Sequence, residues 1–99
     1  MNIIENTNAI AQQYTQLVFP SYEANKSYVV TLFYTKGTQR QINFAISIIR
    51  DRIAKVLEVG IEQISRSMIS KNLATELTEK IIEDVESIHD AASVIQLLK

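Results

Sequence analysis

The chain of 99 residues has no cysteine, no tryptophan, one proline, two glycines and one histidine. Without cysteine there is no disulfide framework, no thiolate nucleophile and no cysteine-based zinc site. The scarcity of glycine and proline leaves little room for long linkers, so connections should be short. Gly37 and Gly60 stand alone, which excludes a phosphate-cradling glycine loop. No apolar run approaches the roughly 18–20 residues of a membrane span. The N-terminus shows no basic stretch followed by an apolar one, so the expected location is cytoplasmic. Neither sign of charge prevails: ten Lys and Arg face eleven Asp and Glu, for a net charge of −1.

What remains is a chain that is 46% hydrophobic, enough for one folded domain over residues 1–99. Ile3, Ile10, Tyr14 and Leu17, with Val18 beside them, recur at helical spacing and predict a helix over 2–18, ended by Pro20. Tyr28 to Tyr34 is built of β-branched, aromatic and leucine side chains and predicts a strand. Thr38 to Phe44 alternates, with Arg40, Ile42 and Phe44 on one side and Gln39, Gln41 and Asn43 on the other. It is expected to pair with residues 28–34 through a three-residue loop, Thr35-Lys36-Gly37.

A second helix is expected over 46–59, with Gly60 as its left-handed stop. Further helical stripes follow. Ile61, Ile64 and Met68 form one and Leu73, Leu77, Ile81, Val85 and Ile88 another, divided or continuous near Ser70-Lys71-Asn72, with Asn72 as a possible cap. A last helix runs from about Ile88 to Leu98, with Ser87 and Asp90 in the positions of a capping box. The expected fold class is α+β: an N-terminal helix, an antiparallel β-hairpin, then three to four helices, in the order αββααα.

The predicted strand 28–34 is apolar on both faces. Val29 and Phe33, with Thr31 between them, form the second face, and a two-stranded ribbon cannot bury both. Either the chain's own helices cover both faces or a second copy covers one, and Val29 and Phe33 are expected to be shielded from water.

Charge is uneven along the chain. Residues 36–71 hold seven basic groups against three acids, net +4. Residues 76–90 hold six acids against Lys80, net −5. Glu76, Glu79, Glu83 and Glu86 could dock on a basic partner surface. Arg40, Arg50, Arg52, Lys55 and Arg66 are the residues a nucleic-acid-binding regulator would use, although the helical positions among them do not stack on one side.

Catalytic signals are weak. Glu86 and His89 form a Glu-x-x-His pair of the kind used twice in carboxylate-bridged di-iron bundles, and the chain has one copy. The single histidine has no Ser or Asp partner at a motif spacing. Arg50 to Val59 is similar to the opening helix of acyl carrier proteins, and Glu83 to Leu98 to their closing segment. Under half the chain is covered, and the Asp-Ser-Leu motif that carries the prosthetic group has no counterpart, so no site is carried over. The sequence therefore points to a non-catalytic interaction protein without cofactor or metal. It would be a small adaptor, immunity or inhibitor protein acting as a homodimer or on a larger protein with a basic surface. Its contact residues would be Val29, Thr31 and Phe33 together with the acidic series. A nucleic-acid-binding regulator is the alternative.

Overall fold

The computed structural model describes residues 13–98. Two antiparallel strands, β1 (Gln13–Pro20) and β2 (Ser27–Tyr34), precede three helices: α1 (Gln39–Ser65), α2 (Lys71–Glu86) and α3 (Ala91–Leu98). The fold is α+β, with a hairpin whose helices lie on one side.

The hairpin is not the one expected. β2 pairs with the segment before it, in an unbroken register from Gln13↔Tyr34 to Pro20↔Ser27. Residues 13–18 of the predicted N-terminal helix are therefore strand, and residues 2–12 of it lie outside the described region. The local reason is visible in Tyr14 to Phe19, where β-branched and aromatic side chains dominate and Leu17 and Phe19 point inward at period two. The six-residue connection turns at Asn25, which has φ 68°, a left-handed conformation that asparagine tolerates. Ser21 Oγ accepts from the Glu23 amide at 3.1 Å and stiffens the start of the turn.

The expected second strand, 38–44, belongs to a helix. Thr38 is its N-cap, in a capping box with Gln41: the Thr38 hydroxyl accepts from the Gln41 amide and the Gln41 side chain accepts from the Thr38 amide. Ile42, Ala45, Ile46, Ile49, Ile53 and Leu57 then form one buried stripe along 27 residues, a helix of about 40 Å. The strict alternation of residues 38–44 was a short coincidence with the longer 3.6-residue period.

Gly60 does not stop this helix. It is buried within it, and a Cβ there would fall on the Tyr22 phenol. The stop comes at Ser67, with φ 60°, where the Met68 amide donates to the Gln63 carbonyl at 2.9 Å and the Ser67 amide to Ile64 at 3.0 Å. That is a Schellman closure with serine at the position where glycine is usual. Residues 61–65 thus extend α1, and the chain from 71 onward is a separate helix. Ser70, not Asn72, caps α2 through the Leu73 amide at 3.0 Å. Ser87 closes α2 instead of opening α3; its hydroxyl donates to the Asp84 carbonyl at 2.7 Å. Asp90 caps α3 through the Ala92 amide at 3.0 Å.

The core lies between the inner face of the hairpin and the three helices. Val30, Leu32 and Tyr34 from β2 meet Ile42, Ile49 and Ile53 of α1 and Val94 of α3, all fully buried. Tyr34 brings into this core a hydroxyl with no hydrogen-bond partner among the described residues, and burial pushes its phenol up to about 12 from an ordinary 10.0. Below pH 10 the phenol is neutral whether folded or unfolded. Between 10 and about 12 the unfolded chain ionises first, so stability falls as pH rises through that window. Tyr34→Phe is expected to hold or raise the melting temperature at neutral pH, because an unpaired buried hydroxyl is removed. It should also remove this tyrosine's share of the alkaline loss. Thermal melts of both proteins at pH 8 and pH 11 check it.

Candidate functional site

Period two assigns the outer face of the hairpin to Tyr14, Gln16 and Val18 of β1 and Val29, Thr31 and Phe33 of β2, in the cross-strand pairs Tyr14/Phe33, Gln16/Thr31 and Val18/Val29. No helix covers it. Val29 is 49% exposed and Phe33 36%, so the expected shielding of both is not found among the described residues. Tyr14 and Val18 are barer still, at 65% and 66%. The sequence reading did not include them, because it assigned both to a helix. The Tyr14 and Phe33 rings meet at 6.4 Å with a 55° tilt, and Gln16 Nε2 donates to Thr31 Oγ1 at 3.4 Å between the two apolar pairs. Not one side chain on this face is charged.

The two edges of the hairpin differ. Along β2, the Thr31 amide donates to Glu86 Oε2 at 2.7 Å, and His89 Nδ1–H donates to the Phe33 carbonyl at 2.8 Å, its ring lying edge-on to Phe33 at 6.3 Å. The Thr35 amide donates to the His89 carbonyl at 2.9 Å, and Lys36 bridges in parallel to Asp90. Glu86 and His89 thus both bond to backbone groups on the edge of β2. Among the described residues no group of three or more His, Asp or Glu side chains is gathered as metal ligands.

Because Thr31 and Phe33 turn their backbone groups away from β1, alternation turns those of Tyr14, Gln16 and Val18 outward on the opposite edge. Among the described residues, no backbone hydrogen bond from another element reaches that edge. β1 carries no charged side chain and no bulge. Both are devices that usually protect an exposed edge.

The acidic residues divide. Glu76, Glu79 and Glu83 are exposed along one side of α2, while Glu86 is half-buried against β2. Glu79 also lines a polar cleft with Tyr28, Ser27 and Lys26. Burial first, with additions from the Tyr22 phenol and the Glu79 and Glu23 carboxylates, pushes the Tyr28 phenol above its ordinary value. The basic residues are not brought together. Arg40 and Arg66 lie at opposite ends of α1, Lys55 pairs with Glu58 at 3.0 Å, Arg66 with Glu62 at 3.6 Å, and Arg52 donates to the Leu98 carbonyl at 2.9 Å.

No helix among the described residues is long and apolar enough to cross a membrane. Comparison with protein-family models, with curated proteins and with solved structures finds no match.

Proposed function

We propose that this chain is a non-catalytic protein–protein association module, of the small adaptor, immunity or inhibitor type, whose contact surface is the outer side of its hairpin and whose first partner is a second copy of itself. The observation that carries this reading is the uncharged outer face on which two exposed apolar pairs, Tyr14/Phe33 and Val18/Val29, flank the Gln16/Thr31 pair. Apolar side chains scattered singly on a surface need no explanation, but four gathered on one side of a two-stranded sheet with no charge among them support a contact surface. The exposed Glu76, Glu79 and Glu83 stripe on α2 would serve a second, basic partner and steer its approach. A cytoplasmic location belongs to the same proposal. Nucleic-acid binding is the weaker reading, because Arg40, Arg50, Arg52, Lys55 and Arg66 are dispersed and three of them are engaged locally.

The test is Val18→Lys. Val18 is two-thirds exposed, so the substitution should leave the fold and its helical circular dichroism unchanged. It is expected to weaken self-association at least about tenfold, the equivalent of roughly 1.4 kcal/mol, measured by light scattering across a dilution series. Association unaffected by lysine at this position would contradict the reading.

A further inference from the structure

We infer that the segment from Glu86 to Ala91 is a guard that keeps β2 from adding the β2 strands of other copies, with Glu86 and His89 as the side chains that close it. The inference concerns the backbone edge of β2, and it stands whether or not the outer face pairs two copies.

The need for a guard lies in the strand. Tyr28 to Tyr34 is seven residues of β-branched, aromatic and leucine side chains, without charge, proline or glycine. Such a segment adds to its own kind once an edge is open, each copy pairing with the next without limit.

The guard offers what an added strand would offer. Glu86 Oε2 accepts from the Thr31 amide at 2.7 Å, and His89 Nδ1–H donates to the Phe33 carbonyl at 2.8 Å. Past Phe33 the main chain takes over. The His89 carbonyl accepts from the Thr35 amide at 2.9 Å, and the Ala91 amide donates to the Lys36 carbonyl at 3.1 Å. Side chains thus replace backbone where the chain is still leaving α2, whose last residue is Glu86. The Lys36–Asp90 bridge is parallel, so residues 86–91 follow β2 in its own direction and lie where a third strand would lie.

Charge raises the barrier. An incoming strand would have to displace a half-buried carboxylate from the Thr31 amide, exchanging a charge-assisted hydrogen bond for a neutral one. His89 stands in the same path, its ring edge-on to Phe33.

The test compares three variants with the wild-type chain under native conditions, by thioflavin fluorescence and the pelleted fraction over time. Pelleting separates open-ended assembly from a dimer of the outer face. Glu86→Ala combined with His89→Ala strips both side chains from the edge. It should form pelletable cross-β material at least about tenfold sooner than the wild type, because two edge hydrogen bonds are lost. Its Thr31 amide should exchange faster before any assembly. Glu86→Gln keeps an acceptor at the edge and should stay near the wild type. Ile53→Ala weakens the fully buried stripe of α1 and leaves the guard in place, so it should lag well behind the double variant. If the double variant loses its helical circular dichroism, Glu86→Ala alone takes its place in the same comparison. A variant that stays dispersed although its Thr31 amide exchanges freely would overturn the guard. So would Ile53→Ala assembling just as fast, since lost stability alone would then explain the effect.

Discussion

Gly37→Ala is expected to destabilise the protein by about 2–5 kcal/mol, the sum of a backbone and a packing cost. Gly37 has φ +125°, a conformation L side chains rarely adopt, and a Cβ there would stand 2.9 Å from the Ala91 Cβ. Neither side can yield. Ala91 is fully buried, and the Ala91 amide donates to the Lys36 carbonyl at 3.1 Å while Thr35 holds the His89 carbonyl. The end of β2 is thereby clasped to the start of α3, and the glycine makes the close approach possible. Urea unfolding should show a lower midpoint with little change in slope. A loss below about 1 kcal/mol would mean that the clasp is not as tight as drawn, since well-packed, strained sites cost more than that.

Leu32→Ala is expected to cost about 2–5 kcal/mol, the range for truncating a fully buried leucine. Val29→Ala, three residues earlier in the same strand, should cost under about 1 kcal/mol, because half of the side chain is already in water. Leu32 is completely buried and Val29 is 49% exposed. Measured at concentrations below self-association, the two values read out which face of β2 meets the helices. Equal losses would place Val29 in a core it does not occupy here.

Strand β2 was legible because every position from Tyr28 to Tyr34 favours a pleated backbone, and its two apolar faces signalled an incomplete covering. Its partner was not legible. Tyr14, Leu17 and Val18 fall at i, i+3 and i+4, so a helical spacing masks a strand whose inward residues are 15, 17 and 19. Downstream, Arg40, Ile42 and Phe44 alternate for one short stretch, while the Thr38–Gln41 capping box and the Ile42-to-Leu57 stripe carry the longer signal. Which segment pairs with β2 is a tertiary choice, and both neighbours offered a compatible local pattern.

Gly60 resembled a helix stop by composition alone; its small size serves the Tyr22 phenol, which reaches across to Thr78 Oγ1 at 2.8 Å. The true end at Ser67 lacks the glycine that would have marked it. Of the hairpin's outer face, Val29, Thr31 and Phe33 could be read from period two. Tyr14 and Val18 were lost with the misassigned helix. The edge roles of Glu86 and His89 join residues more than fifty positions apart, which no local pattern records.

Sedimentation equilibrium of the wild-type chain from micromolar to millimolar concentration tests self-association most directly. A mass rising from that of one chain to that of two is the expected result. One-chain mass at every concentration would contradict it.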